Sequence, residues 1–226
     1  MQIEWLGQIE YMAAWELQKS LVAERMATPD LPDKVLLLEH PPTYTLGKNG
    51  RRENLLLSQT QLMQQGIAFH HVDRGGDITY HGPGQLVGYP ILNLRRLYGQ
   101  HGLGLVRKYV TDLEELLIQL LAEFGLQGQR YEKNRGVWIQ SATGWQKIAA
   151  IGVRVSRGSL TSHGFALNVM PNLQHFTGII PCGLAEHGVT SMADLLGREV
   201  AMAEVMTKIT AVFPHTFYPT PTAAKA

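Results

Sequence analysis

One cysteine, Cys182, stands among the 226 residues of this chain. No disulfide can form within it, which excludes a scaffold stapled for an oxidising compartment. Neither sign of charge is in excess: 20 Lys and Arg face 19 Asp and Glu, a formal net charge of +1. That excludes a broad nucleic-acid-binding face and leaves room only for a local basic patch. No apolar run approaches the roughly 20 residues that cross a bilayer. The N-terminal Met1-Gln2-Ile3-Glu4-Trp5 has no basic segment ahead of an apolar core, so no signal peptide is expected. These absences predict a soluble cytoplasmic protein.

Several chemistries are missing too. No two histidines have zincin spacing, there is no second cysteine, and the adjacent His70 and His71 would face opposite sides of a strand. No metal site is expected. No glycine-rich segment ends in Gly-Lys-Ser/Thr ahead of a helix, and no Gly-x-Ser-x-Gly elbow occurs. Internal repeats, long linkers and low-complexity blocks are likewise absent.

What is present is organised around Arg74-Gly75-Gly76-Asp77-Ile78-Thr79-Tyr80-His81-Gly82-Pro83-Gly84-Gln85. Its glycines allow tight turns and close backbone approach, and Arg74, Thr79, Tyr80, His81 and Gln85 add polar groups. We read it as a loop that cradles a ligand. Around it the pattern predicts strands at Ile3–Leu6, Val35–Leu38, Thr43–Leu46, Ala68–Val72 and Leu86–Leu94, with Pro90 suggesting an edge or a bulge. A hairpin follows, Val137–Gln140 and Lys147–Val155, then Leu160–Met170 broken by His163-Gly164. Helices are expected over Gln8–Ala27, Ser58–Gln65, Leu103–Phe124, Ser191–Leu196 and Ala201–Phe213. The third has Val106, Val110, Leu113, Leu117, Leu120 and Phe124 as its apolar stripe and Gly125 as its cap. A frayed tail is expected from about residue 214. Strands outnumber helices without regular interleaving, so the expected fold is one α+β domain, residues 1–226, with mixed sheets flanked by helices.

Three further positions could carry chemistry. Cys182 sits between Pro181 and Gly183, where a turn can present a thiol. A nucleophilic cysteine needs a neighbour that favours the thiolate, and His81, His163, His187 and Lys147 are the candidates. Lys147 opens the apolar strand Lys147-Ile148-Ala149-Ala150-Ile151-Gly152-Val153. Pointing inward, it must be paired or carry a lowered pKa, and its neutral form could accept a proton. In His163-Gly164-Phe165-Ala166-Leu167-Asn168, a polar residue and a glycine interrupt a strand, a cost that close approach by a ligand would explain.

These four motifs, in this order, resemble those of the bacterial lipoyl(octanoyl) transferases. The resemblance runs from the first strand to about Leu196. It implies the fold of the biotin and lipoate protein ligases. It also implies transfer of an octanoyl or lipoyl group from acyl carrier protein to a lysine of a lipoyl domain, the first step of endogenous protein lipoylation. The acceptors would be acyltransferase subunits of 2-oxo acid dehydrogenases and the glycine cleavage H protein. By this likeness Cys182 is the acyl-thioester nucleophile and Lys147 lowers its pKa. Arg74, Gly75, Gly76, Asp77, Ile78, Thr79, Tyr80 and His81, then Ala150, Ile151 and Gly152, then Gly164, Phe165 and Ala166, would line the acyl pocket, with His163 in support. The octanoyl group arrives on phosphopantetheine, so neither ATP nor metal is expected. The enzyme is expected to act as a monomer, without nucleic acid or membrane. Lys48, Arg51, Arg52, Arg95 and Arg96 are candidate docking charges for an acidic carrier. Backbone N–H groups near Cys182, or His81 and His163, are candidate oxyanion donors.

Three other readings share parts of this pattern. An ATP-dependent lipoate or biotin protein ligase of the same fold would need no nucleophilic cysteine. An amidotransferase would move the group between two lipoyl domains. A non-catalytic module that binds acyl carrier protein would leave Cys182 buried and slow to alkylate.

Overall fold

The computed structural model describes residues 1–99, 104–142, 144–156, 159–180 and 187–218. Leu103, Thr143, the Pro181-Cys182-Gly183 motif and Pro219–Ala226 lie outside the described residues. No described helix is long and apolar enough to cross a membrane.

Two mixed sheets form the framework. The larger contains β1 (Gln2–Gln8), β2 (Lys34–Glu39), β6 (Gln85–Ile91), β10 (Thr161–Asn168), β9 (Gly144–Val155), β8 (Asn134–Ser141) and β7 (Gln129–Tyr131), in that spatial order, with β11 (Gly188–Val189) parallel to the start of β9. The smaller is β4 (Ala68–His71), β3 (Thr43–Leu46) and β5 (Ile78–His81). The helices are α1 (Tyr11–Ala27), α2 (Gln59–Gln64), α3 (Leu94–Tyr98), α4 (Gly104–Ala122), α5 (Met192–Leu196) and α6 (Met202–Phe217).

Strand alternation explains the layers. On β2, Val35 and Leu37 enter the core under α4 and α6, whereas Leu36 and Leu38 pack against α1. A strand covered on both faces reads as an unbroken apolar run, as Val35–Leu38 does. On β10, Phe165 and Leu167 face α4 and Ala166 faces the α1 side. The small sheet turns Tyr44, Leu46, Ile78 and Tyr80 into a separate core with Leu55, Leu62, Ile67 and Ile179. Its other face, carrying Thr45, Thr79 and His81, is polar.

The structure revises several expectations. The central segment is not one loop: β5 lies inside it, between the turns at Arg74–Asp77 and Gly82–Gly84. Pro90 is on no edge, because β6 runs between β2 and β10. The β6–β10 ladder instead stops at Gly88 and Phe165. Beyond it His163 takes a left-handed φ of 56° and donates its backbone N–H to Gln18 Oε1 at 2.7 Å. The Thr161 hydroxyl spans the gap, accepting from Leu92 N at 2.8 Å and donating to Pro90 O at 2.6 Å. The missing proline N–H therefore falls where no ladder bond is made.

On α4 the buried stripe is Leu105, Tyr109, Leu113, Leu116, Leu117, Leu120 and Leu121, while Val106 is exposed. Gly125 caps the helix as expected, with φ 75° and the Leu126 N–H returning to Leu121 O. Ser58 caps α2 in a reciprocal box with Gln61, and the Ser191 hydroxyl accepts from Asp194 N to cap α5. The last helix does not fray at residue 214. It continues through Pro214 to Phe217, because Phe213 and Phe217 are both buried.

Candidate active site

A cavity of about 470 Å³ opens between the polar face of the small sheet and the α1 side of the large one. That size suits a small-molecule or cofactor arm. The walls bring together Arg74, Gly75, Gly76, Asp77, Ile78, Thr79 and His81 from the central segment, Lys147 and Ala150, Ile151 and Gly152 from β9, and His163, Gly164, Phe165 and Ala166 from β10. A central segment and two motifs that lie more than sixty residues beyond it in the chain thus meet at one site. Tyr80 does not line it. As its strand neighbours Thr79 and His81 face the cavity, Tyr80 is directed into the small-sheet core, against Tyr44, His175 and Phe176. Cys182, the expected nucleophile, lies outside the described residues.

Arg74 is buried beside the cavity. Its guanidinium donates to the Thr45 carbonyl at 2.7 Å, to Thr45 Oγ1 at 2.8 Å and to the Gly75 carbonyl at 3.0 Å. These bonds hold the turn against β3. Gly47 is required there: a Cβ would stand 2.4 Å from the Gly76 carbonyl oxygen.

From Thr45 a chain of side chains runs beneath the cavity. The Thr45 hydroxyl donates to His81 Nε2 at 3.4 Å, and His81 Nδ1–H donates to Gln85 Oε1 at 2.9 Å. The Gln85 amide donates to Asn168 Oδ1 at 2.9 Å and to Tyr80 O at 3.2 Å, and the Asn168 amide donates to Thr190 O at 3.0 Å. Each acceptor is another residue's donor, which assigns one His81 tautomer. Burial, reinforced by His40 and Arg74, pushes the His81 imidazole well below its ordinary value, so it is neutral.

His163 is also neutral, its pKa lowered by burial against the opposing pull of Asp73. Its Nε2–H donates to Asp73 Oδ1 at 2.7 Å, and Nδ1 faces the Tyr11 hydroxyl at 3.5 Å. Asp73 is held below the usual carboxylate range, first by this hydrogen bond. Arg154 pairs with its other oxygen. Each imidazole therefore commits its one N–H to a protein acceptor.

Lys147 reaches the cavity through a β-bulge. Trp138 pairs with Lys147 and Val137 with Ala149, which leaves Ile148 as an extra residue. Ile148 and Ala149 both enter the core, and Lys147 is thrown onto the face of Ala150. Its ammonium donates to Asn134 Oδ1 at 3.1 Å and lies 4.7 Å from the centre of the Trp138 ring.

The cavity also uses Tyr11, Gln85, Tyr89, Asn134, Asn168 and Val153, and Val106 and Val110 of α4. Of these the sequence signalled Gln85, Val153 and Asn168, by their places in the singled-out segments. The exposed Lys133 and Arg135 mark the rim. Lys48, Arg51, Arg52, Arg95 and Arg96 do not line the cavity. Among the described residues no cluster of three His, Cys, Asp or Glu could hold a metal ion.

The comparisons with known proteins agree with this geometry. The model of the lipoyl protein ligase A/B catalytic domain matches residues 10–214. The chain is similar to a protein named octanoyltransferase from Chloroflexus aurantiacus, 46% identical over 217 residues covering 96% of this chain and 94% of that one. A protein of the same name from Flavobacterium johnsoniae is 46% identical over 229 residues, covering 96% of each. Among solved structures the fold resembles that of a bi-partite lipoate protein ligase studied with its E2 lipoyl domain, from Thermoplasma acidophilum. That likeness has a TM-score of 0.73 at 16% identity and covers 95% of this chain and 82% of that one. The polar face of the small sheet closing on the large one around a cavity, a bulge that turns a lysine into it, and these matches together place the chain in the lipoyl protein ligase A/B catalytic domain family.

Proposed function

We propose that this protein is an octanoyltransferase of protein lipoylation, moving an octanoyl group from the thioester of acyl carrier protein to a lysine amine of a lipoyl domain. The observation that carries the reading is Lys147, turned by the bulge into a cavity walled by the glycine-rich central segment and the motifs of β9 and β10. The relatives named octanoyltransferase, alike over nearly the whole chain, support it. The likeness to lipoate protein ligases concerns the fold alone and leaves the activation chemistry open.

Each step balances without ATP. The Cys182 thiolate attacks the thioester carbonyl, the bond to the pantetheine sulfur breaks, and the leaving thiolate takes a proton from the Lys147 ammonium. In the second step the neutral acceptor amine attacks the Cys182 thioester. Its proton passes to Lys147, the bond to Cys182 breaks, and the thiolate–ammonium pair returns. The oxyanion of each tetrahedral intermediate is stabilised by backbone N–H groups, since His81 and His163 have committed theirs. The acyl chain lies along Ala150, Gly152, Gly164 and Ala166, where each buried methylene contributes about 0.8 kcal/mol.

The test is intact mass after mixing the protein with octanoyl-acyl carrier protein in the absence of ATP. A gain of one octanoyl group, missing in Cys182→Ser, is expected. Lipoyl-domain acylation that requires ATP and free octanoate would overturn the transferase reading in favour of a ligase.

A further inference from the structure

The bulge at Ile148 turns Lys147 toward the cavity but leaves four side-chain bonds free to rotate. What restrains them is found on the facing strand. Asn134, Gly136 and Trp138 alternate along one face of β8, opposite to Val137 and Ile139 in the core. Asn134 accepts from the Lys147 ammonium at 3.1 Å, and Trp138, directly across the ladder, presents its ring 4.7 Å away. Between them Gly136, at φ 118°, lets β8 close on the bulge: a Cβ there would stand 2.4 Å from Ala149 O, and it would touch the Lys147 stem at 3.6 Å from Cε, an ordinary contact.

The three residues are themselves fixed. The Trp138 indole N–H donates to the Asn134 carbonyl at 3.1 Å, which locks the ring. Tyr131 and His187 pack against the same ring. From α4 the buried Glu114 accepts the Gly136 N–H at 3.1 Å and pairs with Arg135 and Arg130. A buried carboxylate spent on a backbone N–H beside the cavity rim anchors this stretch of β8 to the longest helix.

We propose that Asn134, Gly136 and Trp138 are positioning residues for Lys147, holding its amine at the point where a proton must be given and then taken back. This rests on the reading of Lys147 as the proton carrier. A carbonyl oxygen and a ring face both favour the ammonium, and neither adds a charge of its own. Among the described residues, Lys133 and Arg135 stand at the cavity rim, Glu114 of α4 meets the Gly136 N–H, and His187 stands against Trp138.

The experiment separates the two half-reactions in single turnover: acylation of the enzyme by octanoyl-acyl carrier protein, then transfer to a lipoyl domain. Asn134→Leu keeps the volume and removes the acceptor. Its acylation rate is expected to fall by about 10²-fold, with the KM for the carrier within about twofold of wild type. Asn134→Asp keeps the acceptor and adds charge. Acylation should stay within about threefold of wild type, whereas transfer to the amine slows by tenfold or more, because a carboxylate holds Lys147 protonated. A purely structural role would slow both steps alike in both variants, and that result overturns the proposal. So would wild-type rates in Asn134→Leu. Absence of any wild-type acyl adduct overturns the transferase reading together with the proposal, whereas an adduct with unaltered variant rates overturns the proposal alone.

Discussion

The Gly75 N–H donates to the Val153 carbonyl at 2.9 Å. This bond occupies the edge of β9 beyond the point where β8 turns away, and it joins the central turn to the strand of Lys147. Directly beside it, a Cβ on Gly152 would stand 3.0 Å from Gly75 O and 3.1 Å from Arg74 Cδ. Gly152→Ala therefore narrows the cavity where two of its walls meet. One methyl in a substrate pocket is worth about 10-fold or more in discrimination. We expect kcat/KM for the octanoyl thioester to fall about tenfold, mostly in KM, with the melting temperature lowered by only a few degrees. Steady-state kinetics and a thermal melt check both halves.

Gly164 is a glycine for a different reason. A Cβ there would lie 2.1 Å from the Gly88 carbonyl oxygen and 2.7 Å from Pro90 Cδ. Both neighbours belong to the central strand β6 and neither can swing aside. Gly164→Ala should cost about 2–3 kcal/mol of stability through overpacking, read as a lower urea midpoint at unchanged m-value. An unchanged midpoint would show that β6 and β10 can separate locally.

These two glycines show what could be read from the chain and what could not. Gly164 was legible as a place of close approach, since an isolated glycine in a strand needs a reason, but a ligand was expected there and β6 is what approaches; Gly152 entered only through the resemblance. Which neighbour approaches is a matter of register between β6, β10 and β9, and no local pattern encodes it. Lys147 makes the same point. Strict alternation would place it with Ala149 on the core face, and only the bulge against Val137 and Trp138 reverses this. Asn134 was invisible because a lone asparagine outside every singled-out motif carries no chemical signal of its own. Tyr80 sat inside the right motif on the wrong face, since β5 was read as loop and its alternation was not applied. The long helix was legible in existence and in its Gly125 cap, but its stripe was displaced: Val106 and Val110 face the cavity.

The buried histidines predict acid lability. His40 lies beneath the cavity, fully buried, with Nδ1–H donated to Ile9 O at 2.7 Å and Nε2 accepting from the Tyr89 hydroxyl at 2.7 Å. Burial lowers its pKa to about 4. The folded state thus binds fewer protons than the unfolded chain, in which His40 titrates near its ordinary value. Stability is full above that value and declines as pH falls from about 6.5 toward 4, by roughly 3 kcal/mol from this residue alone. His81 and His163 are shifted in the same direction and steepen the loss. Urea midpoints measured from pH 7 to pH 4 should fall accordingly. His40→Gln should flatten part of that slope, and an equal slope in the variant would exclude His40 as a source.

The end of α6 is tied down by a carboxylate far from it in sequence. Asp33 is buried and pairs with the equally buried Arg25, reaches the more exposed Arg96 at 2.9 Å, and accepts from the Asn93 backbone N–H at 3.1 Å and from the Tyr218 hydroxyl. Two substitutions distinguish the roles in this cluster. Tyr218→Phe removes one donor of several, so Asp33 keeps its charge partners and the loss should be about 1–2 kcal/mol. Asp33→Asn removes the compensating charge and leaves the Arg25 guanidinium buried opposite a neutral amide, a change that costs about 3–5 kcal/mol when a buried pair is broken. Chemical denaturation of the two variants should therefore rank Asp33→Asn well below Tyr218→Phe. The reverse order would mean that α6, rather than the Arg25–Asp33 pair, is the part of this cluster on which stability depends.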